Sequence, residues 1–256
     1  MGPPTDVRTR HSPSRRVRFV VPPQHGAWAM LLVPYLLGTV AAGWTVAAVP
    51  LLLVWLMGYL FSYSALMAVR VRRRERYIAS ARLTGLLAVP FGIWLLVLQP
   101  WVALAAVAFV PMALVNIRFA RRHDERSWAN GLASVTQACL MVPLAYGVGQ
   151  GGDWARAAAL FAIAWLYFAG TVFYVKTMIR GRGDRGFLRA SLAFHAAAVV
   201  AATLVSVELG VLFGWFLLRA WAMPRIALNH RVKPVHVGVL EMANSVLLVA
   251  VALITT

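Results

Sequence analysis

The sequence predicts an all-α fold, a polytopic membrane helical bundle of about nine transmembrane helices. Three observations carry that prediction. Apolar residues make up 61% of the chain and charged residues only 13%, where a soluble domain carries about a quarter. The apolar residues fall in blocks of about 16 to 25, roughly the length a helix needs to cross a bilayer, rather than in amphipathic stripes. Of the 25 Lys and Arg residues, all but Arg156 lie in every second gap between those blocks.

The charge alternation sets the topology. Segments 1–24, 70–82, 118–128, 176–189 and 219–235 hold five, six, four, five and four cations, while the gaps around Gly43, Gln99, Gln150 and Val207 hold Arg156 alone. Cations near a membrane end resist translocation, so the basic segments are expected in the cytoplasm. With nine crossings the N-terminus is then cytoplasmic and the C-terminus outside. The net charge of +17 sits on one face, which points to the anionic inner leaflet and membrane lipids as partners, not to nucleic acid. The expected location is the plasma membrane.

The elements follow in order. Residues 1–24 are basic and rich in Pro and Ser, and read as a disordered cytoplasmic tail. Residues 25–256 read as a single transmembrane domain. The first helix runs from about Ala27 to Ala42, opening after Pro22-Pro23 with a kink at Pro34. The second spans Val46–Val69, the third Leu83–Leu98, the fourth Trp101–Ile117 and the fifth Trp128–Tyr146. The glycines of 147–152 mark a flexible loop. Helix six covers Trp154–Ile179, seven Leu188–Val205, eight Glu208–Met223 and nine His236–Ile254. No Gly or Pro marks the break at Ser206; charge sets it there, because 180–189 and 219–233 are both basic and belong on one side. Residues 188–223 are therefore two crossings or a tilted hairpin.

Polar residues within these blocks are the candidates for chemistry. His25, at the start of the first helix, is an interfacial residue or a proton-active, headgroup-binding imidazole. Lys176 snorkels to the interface, or joins Arg70, Arg82, Arg118, Arg122 and Arg180 in an anion site between helix ends. Asn116 and Tyr174 stand beside those cations. His195 and Glu241 are intramembrane ionisable groups, functional candidates by default and structural hydrogen-bond partners otherwise. The single cysteine, Cys139, forms no internal disulfide. The eight acidic residues include no pair spaced i, i+3 or i, i+4 on a helix. Converging carboxylates for magnesium are absent from the pattern, and no metal or other cofactor is expected.

The run Pro23-Gln24-His25-Gly26-Ala27-Trp28 resembles the signature of the YwiC-like family of bacterial membrane proteins. That resemblance implies an integral membrane protein. A second resemblance is to the UbiA-type prenyltransferases, and it implies a nine-helix plan with an active site at the cytoplasmic loops after helices two and six. Arg76-Tyr77-Ile78-Ala79-Ser80-Ala81-Arg82-Leu83-Thr84 looks like the segment after that family's first aspartate motif, and Asn116-Ile117-Arg118 through Arg122 like its basic fourth helix end. The aspartates are missing: Tyr59-Leu60-Phe61-Ser62-Tyr63-Ser64 and Tyr174-Val175-Lys176-Thr177-Met178-Ile179-Arg180 stand in their places, with Asp184 alone nearby. The magnesium–diphosphate site of that family is therefore not expected here.

Three functions fit these residues. The first is binding or modification of an isoprenoid or phospholipid-like amphiphile at a cytoplasm-facing cationic pocket. The second is transport of a small anion or metabolite past His195 and Glu241. The third is a non-catalytic membrane assembly partner.

Overall fold

The computed structural model describes residues 19–22, 25–72, 74–121, 127–179, 182–229 and 234–256. Every regular element among them is helical: α1 (His25–Ala42), α2 (Ala48–Arg70), α3 (Glu75–Leu98), α4 (Val102–Val107), α5 (Phe109–Arg121), α6 (Trp128–Cys139), α7 (Met141–Val148), α8 (Trp154–Ile179), α9 (Arg185–Thr203), α10 (Val207–Asn229) and α11 (Pro234–Thr255). Two expected helices are each broken once, at Ala108 and at Leu140. The cause is proline. Pro111 and Pro143 lack the N–H that would bond the carbonyls of Val107 and Cys139, the last residues of α4 and α6. Ala108 and Leu140 keep right-handed helical angles, so each pair continues as one bent crossing.

Among the described residues, eight helical spans are long and apolar enough to cross a membrane, and α1 is a shorter apolar helix. The break near Ser206 is present, and α9 and α10 each reach spanning length, as two crossings. Ser206 caps α10 by accepting from the Leu209 N–H at 3.1 Å. The basic segments, in contrast, are not wholly loops. α3 begins at Glu75, well before Leu83, and α10 continues to Asn229. Polar residues extend a helix past the hydrocarbon because its backbone bonds are internal to it. Residues 19–22, assigned to the tail by sequence, lie against α3: Val20 and Pro22 are buried and the Val20 N–H donates to Ser80 Oγ at 3.1 Å.

α1 sits inside the bundle and packs against α7, α8 and α11. Gly38 allows the closest approach; a Cβ there would lie 2.3 Å from the Val142 carbonyl. Leu37, Val135, Val142, Leu160, Ile163, Leu209 and Leu248 form the main core. α2 and α3 pack chiefly on each other. They join α1 through Trp55, whose Nε1–H donates to the Leu31 carbonyl at 2.9 Å.

Candidate functional site

α8, α10 and α11 bring a carboxylate and a guanidinium together inside the bundle. Glu241 of α11 and Arg219 of α10 are both buried, and Arg219 Nη1 donates to Glu241 Oε1 at 2.5 Å. The other oxygen, Oε2, accepts from Thr171 Oγ1 at 3.1 Å and from Tyr167 OH at 3.3 Å. Tyr167 also contacts Ser245 Oγ at 3.1 Å. Unpaired charges in hydrocarbon cost several kcal/mol; here each charge meets its opposite, and Glu241 has a donor on each oxygen.

Arg219 is less fully satisfied. Its guanidinium carbon lies 4.4 Å from the centre of the Tyr174 ring and 5.3 Å from that of Phe216, so aromatic faces take part of its charge. Its Nε has no hydrogen-bond partner among the described residues, nor has the Tyr174 hydroxyl beneath it. His195 of α9 completes the group. Its Nδ1 lies 2.7 Å from the Ser191 carbonyl. A carbonyl only accepts, so Nδ1 carries the hydrogen and Nε2 is left as an acceptor. Nε2 is buried without a partner among the described residues and faces Gly170, where a Cβ would stand 3.1 Å from it. Tyr167, His195, Phe213, Phe216 and Arg219 line one narrow internal gap, with no room for a water-sized sphere.

The sequence candidates thus divide. Glu241, His195 and Tyr174 converge. The reason lies in helix register: α8 presents Tyr167, Thr171 and Tyr174 on one face, opposite Arg219 and Glu241. Lys176 turns to another face, 4.3 Å from the centre of the Trp128 ring. Asn116 bonds across to α6, donating to Gln137 Oε1 at 2.6 Å and accepting from Ser134 Oγ at 3.3 Å. Arg70, Arg82 and Arg118 are exposed. The side chain of His25 lies outside the described residues, as do Arg122 and Arg180 altogether. Asp184 caps α9, its Oδ1 accepting from the Phe187 N–H at 3.1 Å.

Arg219 is the residue that sequence reasoning missed: it lies within the expected eighth helix, Glu208–Met223, yet counts with the cations of the 219–235 segment. A signal was available: apolar residues continue past it to Met223. An arginine and a glutamate isolated in separate apolar blocks are candidates to pair. Tyr167, Thr171 and Ser245 carried no such mark.

Over 247 residues the chain is 33% identical to "Uncharacterized protein YwiC" of Bacillus subtilis (strain 168), an alignment covering 92% of this chain and 97% of that protein. The chain belongs to the YwiC-like family. The family's own pattern, described as "YwiC-like protein", matches residues 21–146. A Haemophilus influenzae protein (strain ATCC 51907 / DSM 11121 / KW20 / Rd) described as "Uncharacterized protein" is 28% identical over 249 residues, covering 94% of this chain and all of its own length. This YwiC-like chain has no significant match among solved structures.

Proposed function

We propose that this YwiC-like membrane protein is a carrier for a small anion, held during passage at the Arg219–Glu241 centre. One observation carries the reading: a buried ion pair within membrane helices is surrounded by polar atoms with open hydrogen-bond capacity. Charges are kept at such depth where they serve a path for ions or substrates. Glu241 is already met by donors on both oxygens. The donor capacity left over is on Arg219 Nε and the Tyr174 hydroxyl, which suits the centre to a ligand with acceptor oxygens. His195 Nε2 supplies a hydrogen-bond acceptor beside it, with Tyr167, Arg219 and Glu241 as the titratable and charged groups of the packed helices. The narrow gap corresponds to an occluded state, and passage requires the helices around it to part. In this reading the basic connections face the cytoplasm.

Reconstitution tests it. Purified protein in liposomes is expected to pass at least one of chloride, nitrate, acetate or a dicarboxylate faster than protein-free vesicles. The double change Arg219→Met, Glu241→Leu, which removes both charges of the pair, should return flux to background. Background flux for the whole panel in the unaltered protein would overturn the carrier reading. The cytoplasmic lipid pocket has less support, because Arg82 and Arg118 are exposed while Tyr174 and Lys176 are engaged at separate places.

A further inference from the structure

Between α9 and α10 lies an open groove of about 550 Å³ lined by Leu192, Ala193, Ala196, Gly214, Leu217, Leu218 and Trp221. We propose that this groove binds the chain of an anionic phospholipid, whose phosphate is held by Arg189 and Arg225. The proposal is independent of the carrier reading.

Helix register supports it first. Arg189 precedes Leu192, Ala193 and Ala196 by three, four and seven positions, so all four share one face of α9. Arg225 follows Trp221, Leu218 and Gly214 by four, seven and eleven positions on one face of α10. α9 and α10 run antiparallel around Ser206, which brings both arginines to the same end of the groove. Both are exposed.

The glycine supports it next. A mid-helix glycine costs about 1 kcal/mol relative to alanine. Gly210, one turn earlier, offsets that by close packing: a Cβ there would meet Thr203 Oγ1. At Gly214 a Cβ would meet nothing within 4 Å. Helix packing therefore does not require a glycine at 214, and its missing side chain is what deepens the groove.

Charge complementarity names the occupant. The groove is apolar along its length and cationic at one end, the pattern of a lipid chain below an anionic head. Trp221 marks the depth where the two meet, as tryptophan does at membrane interfaces. The Arg225 guanidinium carbon lies 4.4 Å from the centre of the Trp221 ring, and its Nη1 donates to the Trp221 carbonyl at 2.6 Å. Arginine has five N–H donors, so this tether leaves others for a phosphate.

Native mass spectrometry of the purified protein, after exchange into phosphatidylglycerol or phosphatidylcholine of matched chains, tests the site. The unaltered protein is expected to retain phosphatidylglycerol preferentially. Arg189→Gln and Arg225→Gln should each lower that retention about fivefold, the effect of one cation near an anionic headgroup, and leave phosphatidylcholine unchanged. Gly214→Leu should displace both lipids while the protein stays monodisperse, since the added side chain enters the groove. Equal retention of the two lipids by the unaltered protein would overturn the proposal. So would unchanged retention in Gly214→Leu, or an equal loss from Arg72→Gln with Arg82→Gln, which would reduce the effect to diffuse surface charge.

Discussion

α2–α5 and α8–α11 overlap in hydropathy and differ in surroundings. Mean hydropathy is 1.8, 1.9 and 2.0 for the three spans of the first region, and 1.8, 1.4, 1.3 and 2.2 for the four of the second. Yet the first three spans are 11%, 11% and 6% buried, and the second four 44%, 22%, 33% and 33%. Lipid tails are as apolar as leucine, so hydropathy does not separate a lipid-facing helix from a bundle-facing one. What separates them is what each interior face must satisfy. α2 and α3 meet through the Ser64–Ser80 hydroxyl pair at 3.0 Å. α10 and α11 meet through an ion pair, which α8 joins by the Tyr167 and Thr171 hydroxyls. The second region is thus held to a single geometry by charge, and the first mainly by shape.

Removing one partner of the ion pair should open the widest gap between the regions. Glu241→Leu strands the Arg219 charge and is expected to cost about 3–5 kcal/mol in denaturant unfolding from detergent micelles. Adding Arg219→Met should recover most of that loss, because a buried pair is often replaceable by apolar residues. Arg82→Leu on exposed α3 should change stability by less than about 0.5 kcal/mol. Were Glu241→Leu as mild as Arg82→Leu, the contrast would vanish.

Two glycines probe the same contrast at a smaller scale. Gly38→Ala should destabilise by about 1–3 kcal/mol, since its Cβ collides with the Val142 carbonyl and forces α1 from α7. Gly58→Ala on α2, with nothing within 4 Å of its Cβ, should be neutral or stabilise by up to about 1 kcal/mol. Thermal melts of the two variants side by side check both signs.

The polar contact between the first region and α6 is weaker. Asn116→Ala, which removes the hydrogen bond from α5 to Gln137 of α6, should cost about 0.6 kcal/mol and no more than about 1.7 in the same unfolding assay. Of similar size, Lys176→Met should lose about 0.5–1 kcal/mol from the contact with Trp128 and leave anion flux intact. A Lys176 variant with flux reduced as far as the Arg219 variant would return the cytoplasmic cations to the functional site.

Much of the fold is legible because a crossing helix announces itself by length and by the cations at its ends. Trp154–Ile179 is legible to the residue, and the Ser206 turn from charge alone. The breaks at Ala108 and Leu140 escape that reading, although each proline stands four residues after the carbonyl it has no N–H to bond. At the site, Glu241 and His195 stand out as ionisable groups in apolar sequence. Arg219 does not, since counting cations by segment places it with Arg225 at a helix end. Lys176 and Tyr174 are two residues apart, so they point to different faces of α8: one reaches Trp128 and the other Arg219.

Local sequence is enough to make this chain a multi-pass helical membrane protein and to place most of its crossings. Those properties follow from hydrophobicity and charge, which each segment carries whatever its neighbours do. Packing in three dimensions was needed to make Arg219 an interior partner of Glu241, and to turn a polar face of α9 and α10 inward and leave an open apolar groove between them. These outcomes depend on the relative rotation of helices far apart in sequence. That rotation is set by contacts such as Gly38 on Val142, and no single segment encodes it.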